Sequence, residues 1–324
     1  MYKKLFVRRF RYVIAAVVAV AMSTPLAADP RDRPHVHVGG GLSHVPHTFT
    51  LQVWYRDIVY DEDAPDTRLT SLDVYTANEP EPDSPVMVFV HGGGFRVGDK
   101  ASSKDLDPKP EYFVSKLGYV FVSVNYRLLP EGRHPRNAQD VANALAWVHE
   151  HIAGFGGDPE QIFLMGHSAG ASLVATVATD PVYLREAGKD LGLLKGVIAN
   201  EGGYGVDTGV EANTQRYEGL YGPDWRDEVA VARVRPDSGI PPFMMVHVAG
   251  VESLVPGSDA QARGLAQALR EAGVQVKLLA VDHVEHFGAN ERMGEPGDII
   301  TVELERFLDS ITGRASPAQW TSAR

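Results

Sequence analysis

The chain has 324 residues, 44% of them hydrophobic, with 42 acidic against 31 basic side chains, a formal net charge of −11 and no cysteine. That length and apolar content suffice for one large α/β domain, while the absence of cysteine excludes a thiol nucleophile, a thiolate metal site and a lipidated cysteine. The acidic balance, without any basic run or aromatic-basic patch, argues against nucleic acid as a partner.

Residues 1–28 read as a signal peptide. Lys3, Lys4, Arg8, Arg9 and Arg11 precede an apolar run from Tyr12 to Met22, and Pro25-Leu26-Ala27-Ala28 supplies the small residues of a cleavage site. The run is shorter than the roughly 20 residues a spanning helix needs. The expectation is export to the periplasm or the medium, with no stable membrane association after cleavage. Removing this segment takes away five basic residues and no acidic one, so the mature chain is more acidic still. Residues 29–50 form a polar arm. Its His35, His37, His44 and His47 have spacings a metal could use, but no carboxylate completes a site nearby. The reading is a solvated arm, and neither metal nor cofactor is expected.

From residue 51 onward the pattern becomes that of a folded domain. TFTLQVWY and LTSLDVY suggest a hairpin of edge strands. The runs at 86–90, 120–124, 162–165, 196–199, 243–248 and 276–281 are apolar without alternation. Strands that are apolar on both faces belong to a parallel sheet covered by helices on each side. Helical stripes lie between them: Val141, Leu145, Val148 and Ile152; Leu265, Leu269 and Ala272; and Ile300, Leu304, Phe307, Leu308 and Ile311. The fold class is therefore α/β, with a mostly parallel, doubly wound sheet. Residues 203–240 are polar, dotted with aromatics and weakly periodic. They follow a strand's carboxyl end, where ligands bind in such sheets, so the expectation is a lid or substrate wall. Tyr204, Tyr217, Tyr221 and Trp225 either line a pocket there or simply pack.

The chemistry centres on Gly166-His167-Ser168-Ala169-Gly170. An apolar strand before it and a helical run after it supply the strand-turn-helix setting of a nucleophile elbow. The pentapeptide alone is weak, but His91-Gly92-Gly93-Gly94-Phe95 follows its own buried strand. Glycines there let backbone N–H groups converge on a developing oxyanion. A phosphate loop is disfavoured, since no lysine stands at the required spacing. A serine needs a base. His286 is the candidate beyond the last strand, with His283 in reserve, and the acid that orients it is Glu252 or, alternatively, Glu201 at the end of the preceding strand.

HGGGF, NYRLLPE at 125–131 and GHSAGAS resemble the α/β-hydrolase esterases, in particular the bacterial carboxylesterases of the hormone-sensitive-lipase and feruloyl-esterase-like group. The resemblance covers roughly residues 55–312. It implies Ser168 as nucleophile, His286 as base, and Gly93, Gly94 and Ala169 as oxyanion donors. One departure stands out, because the group carries an aspartate where this chain reads Gly250-Val251-Glu252-Ser253-Leu254-Val255-Pro256. Aligned on Val255-Pro256, Glu252 takes its place; aligned on Gly250, Ser253 does. The layout expected is a signal peptide at 1–28, an arm at 29–50 and a hydrolase domain at 51–324. The expected activity is hydrolysis of small to medium acyl or aryl esters through an acyl-enzyme. An amidase or formamidase with the same machinery is the alternative, and a non-catalytic binding protein is a more distant one. Oligomeric state has no signature in the sequence.

Overall fold

The computed structural model describes residues 35–37, 52–249 and 253–313. The signal segment and most of the arm therefore lie outside the described residues. Each of the six apolar runs becomes a strand of one nine-stranded sheet. In chain order these are β1 (His35–His37), β2 (Gln52–Val59), β3 (Ser71–Ala77), β4 (Ser84–Val90), β5 (Val120–Val124), β6 (Gly157–His167), β7 (Leu194–Asn200), β8 (Phe243–Ala249) and β9 (Val276–Asp282). They lie in the order β1-β2-β3-β5-β4-β6-β7-β8-β9. The first three pair antiparallel, as does β3 with β5, and all other pairings are parallel. Strand β1 differs from the reading of a wholly solvated arm: His35–His37 pairs with Gln52–Trp54. Three residues carry too little pattern to announce a strand.

Every residue of β4 and β5 is buried, the physical reason these strands lack alternation. Side chains still alternate between two cores. Val86, Val88 and Val90 face one layer with Val141, Leu145, Leu173, Leu265 and Leu269. Met87 and Phe89 face the other with Phe121, Ile300, Leu304 and Phe307. The helices carrying these residues are α1 (Arg136–His151), α2 (Ala169–Thr179), α4 (Ser258–Glu271) and α5 (Ile299–Thr312), with α3 (Glu211–Tyr221) inside the 203–240 insertion. Truncating one such buried side chain, as in Leu145→Ala, costs about 2–5 kcal/mol. Because β4 to β9 run parallel, the loops after β4, β6, β7, β8 and β9 all leave the same edge of the sheet.

Arg127, just past β5, clamps α1 to this edge. Asp140 is fully buried and accepts from the Arg127 backbone N–H at 2.9 Å and from Nε at 2.9 Å, with Nη2 completing a forked ion pair. The clamp joins NYRL to the helix that follows it.

Candidate active site

Strand β6 runs into Ser168, whose φ of 56° and ψ of −117° place a non-glycine residue in a strained turn. The flanking glycines are there for space. A Cβ on Gly166 would stand 2.4 Å from the Gly170 carbonyl oxygen, and one on Gly170 would stand 2.1 Å from that of Val90. Strand and helix can approach this closely only without those side chains. The Ser168 N–H donates to the Asn200 carbonyl at 2.9 Å, fixing the elbow to β7.

The turn lifts the hydroxyl toward the loop after β9. Ser168 Oγ lies 2.9 Å from His286 Nε2, and both residues line one cavity. His283, the reserve candidate, is exposed and does not line that cavity. Glu252 lies outside the described residues. The carboxylate beside the other ring nitrogen is that of Glu201: its Oε1 is 3.6 Å from His286 Nδ1. A hydroxyl donating to Nε2 and a carboxylate facing Nδ1 together select the Nδ1–H tautomer of a neutral ring.

Glu201 is fully buried at the end of β7, with φ 58°. It accepts from the Val248 N–H at 2.7 Å, the Ser258 hydroxyl at 2.7 Å and the Ser253 hydroxyl. Burial by itself would push this carboxyl up. The His286 ring, the two hydroxyls and the N–H outweigh it and hold the group below the ordinary carboxylate value. Ser253 thus does reach the site, as a donor to Glu201. In the sequence, the turn aligned on Gly250 points to Ser253 and a glutamate closing an apolar strand to Glu201, whereas Ser258 carries no signal.

The loop after β4 forms the facing wall. A Cβ on Gly93 would lie 1.9 Å from the Val97 carbonyl oxygen, and Gly93 has φ 106°, so only glycine fits. His91 stacks on Tyr126 at 4.6 Å between centroids, and Tyr126 Oη donates to the His91 carbonyl at 3.1 Å. Burial pulls the His91 ring's pKa down, and its Nδ1 lies 2.8 Å from the Gly92 carbonyl oxygen. Gly93, Gly94 and Ala169 line the cavity with Ser168. Their N–H groups make no hydrogen bond within the described residues. They are three donors without acceptors beside the Ser168 hydroxyl.

The cavity holds about 330 Å³, and its remaining wall includes Phe95, Tyr217, Leu220, Tyr221, Val255 and Phe287. The 203–240 insertion therefore contributes wall residues through α3. Its other two aromatics, Tyr204 and Trp225, are buried in packing. A larger cleft of about 1030 Å³ lies around Tyr112, Pro296 and Thr301, and neither Ser168 nor His286 lines it. Among the described residues no cluster of three or more His, Asp or Glu could hold a metal ion. No described helix is long and apolar enough to cross a membrane.

Residues 69–204, which include the glycine loop, the elbow and Glu201, match the carboxylesterase family. Similar curated proteins include a probable isoprenylcysteine alpha-carbonyl methylesterase of Oryza sativa subsp. japonica, 28% identical over 257 residues, 74% of this chain and 59% of that protein. Esterase LipQ of Mycobacterium tuberculosis is 29% identical over 313 residues, 86% of this chain and 68% of its own. The chain thus spans about three-fifths of the length of the methylesterase. Among solved structures, esterase B from Lactobacillus rhamnosis superimposes with a TM-score of 0.66 at 19% identity, covering 93% of this chain and 92% of the other. A thermophilic esterase from Thermogutta terrifontis gives 0.62 at 23% identity, covering 81% and 94%. With the sheet described above, these likenesses establish the α/β-hydrolase fold of the chain.

Proposed function

We propose that the chain is an exported serine hydrolase that cleaves carboxylic esters through an acyl-enzyme. The observation that carries this reading is the 2.9 Å approach of Ser168 Oγ to His286 Nε2 at a strained elbow, with a buried, ionised Glu201 behind the ring. Ser168 Oγ attacks the ester carbonyl carbon while His286 Nε2 takes the hydroxyl proton. Glu201 then faces an imidazolium whose charge it stabilises. The negative charge moves to the carbonyl oxygen, held by the N–H groups of Gly93, Gly94 and Ala169; loss of one such donor typically costs ~10²–10³ in rate. His286 returns its proton to the departing alkoxide, and water, deprotonated by the same nitrogen, releases the acid and restores Ser168.

The substrate is a small ester with an apolar acyl or aryl part. A 330 Å³ cavity sits at the low end of the roughly 300–1,000 Å³ range of ligand pockets. Structural neighbours solved with butyrate or propionate accord with that size. The export expectation rests on residues 1–28.

The test is hydrolysis of p-nitrophenyl esters from acetate to decanoate by the mature chain and by Ser168→Ala. Activity peaking at short acyl chains in the parent and absent in the variant is expected. Equal rates in both would overturn the assignment of Ser168, and a preference for matched amides over esters would move the activity to amidase.

A further inference from the structure

The loop that bears His286 leaves β9, an edge strand whose residues are mostly only half-buried. Packing around that strand cannot by itself fix an imidazole to a fraction of an ångström. Yet three carbonyls within five residues of the loop, those of His286, Ala289 and Asn290, are each met by a buried donor from a different part of the chain. The His286 carbonyl lies 3.1 Å from His167 Nε2. The Ala289 carbonyl accepts from Asn200 Nδ2 at 2.9 Å. The Asn290 carbonyl accepts from Lys109 Nζ at 2.9 Å. All three donor residues are essentially inaccessible to solvent.

Ala289 and Asn290 belong to the helical turn Gly288–Glu291 that follows the histidine. The last carbonyls of a helix lack partners within it, and they attract positive groups. Lys109 also donates to the Asp105 carbonyl at 2.9 Å, and Asn290 Nδ2 reaches that same carbonyl at 3.0 Å. The Asp105 carboxylate in turn lies 3.7 Å from His167 Nδ1. The residues bridge the segment beyond the glycine loop, the elbow, the end of β7 and the histidine loop.

Resting on the assignment of Ser168 and His286, we propose that Lys109, His167 and Asn200 are positioning residues that hold the catalytic imidazole through the main chain of its own loop. None touches substrate. A lysine is suited to this place because one side chain donates to both the Asp105 and the Asn290 carbonyls. Its neutral amine still has two N–H groups for the two carbonyls, so the hold does not depend on the lysine's charge.

The test compares the parent with Lys109→Met, His167→Ala and His167→Gln, the last restoring a side-chain N–H. Misplacing a catalytic group by about 1 Å can cost ~10²-fold. With p-nitrophenyl butyrate, kcat is expected to fall between about tenfold and a hundredfold in Lys109→Met and His167→Ala. KM should stay within about twofold, since no wall residue changes, and His167→Gln should recover part of the loss. Amide hydrogen exchange at residues 286–291, measured on folded protein without substrate, should accelerate in the first two variants and less in the third. Unchanged kcat together with unchanged loop exchange, in a parent that is active, would overturn the inference. So would losses that appear only in proportion to global unfolding. An inactive parent whose loop exchange still responds to these variants would leave the positioning intact and sink the esterase assignment instead.

Discussion

Glu201 Oε1 stands 3.6 Å from His286 Nδ1, and neither side chain is more than 4% exposed. Strands β7 and β8 are parallel neighbours in the sheet, so a carboxylate at the end of β7 and one in the turn after β8 compete for one position behind the ring. Glu201 occupies it with φ 58° and the N–H of Val248 against its second oxygen. Replacing it with Gln is expected to lower kcat by about 10³–10⁴ by disturbing the tautomer and the charge behind it. Glu252→Gln should stay within about threefold of the parent. Steady-state rates on one short ester decide between the two acids.

The wall of the cavity predicts its reach. Leu220 is buried and lines the site, and Leu220→Ala opens space in the cavity without altering Ser168. One methylene in an apolar pocket is worth about 10–200-fold in discrimination. The octanoate-to-butyrate ratio of kcat/KM is therefore expected to rise by about tenfold or more, read from the same series of p-nitrophenyl esters.

Glycines at the elbow and elsewhere should respond in opposite senses. A Cβ at Gly170 would meet main-chain atoms of Val90 and His91, which cannot move without breaking the strand. Gly170→Ala is expected to lose more than about 3 kcal/mol, in the exceptional tail of single substitutions. Gly219, in α3, has open space at its Cβ position. Gly219→Ala should stabilise by about 0.5–1 kcal/mol through helix propensity. Urea denaturation of both variants checks the pair.

Lys109 predicts how stability varies with pH. Burial pulls its ammonium from the ordinary 10.5 down to about 7. Between those values the unfolded chain keeps a proton that the folded chain has lost, so stability rises with pH, by up to about 1.4 kcal/mol per unit from this group. Below pH 7 both states are protonated and its contribution is flat. Glu201 acts on the other flank: its lowered folded value gives stability that is present above the unfolded pKa and is lost as pH falls through the folded one. Unfolding curves at pH 7, 8 and 9 should show the rise in the parent and a flatter response in Lys109→Met.

The parallel strands were legible because burial on both faces erases alternation: Val86, Met87 and Val88 read as one run, though they serve two cores. The elbow and the glycine loop were legible because steric demands admit so few residues, as Gly93 and Gly170 show. The acid was not settled. A glutamate after β7 and a glutamate after β8 satisfy the same chemical requirement, and only the lateral order of strands brings Glu201 behind His286. Lys109 and Asn200 were silent altogether. Their roles depend on carbonyls 181 and 89 residues away along the chain, contacts with no periodicity or motif to report them. Strand β1 was likewise silent, being too short to show a pattern.

The loop leaving β9, one of the sheet's two edge strands, carries the histidine proposed to take Ser168's proton. Heating should therefore silence the molecule before it melts: β9 can fray from β8 while the β4–β6 centre stays closed, and turnover then fades with the ellipticity still intact. Cooling such a sample restores activity quickly, because only one strand and its loop have to return.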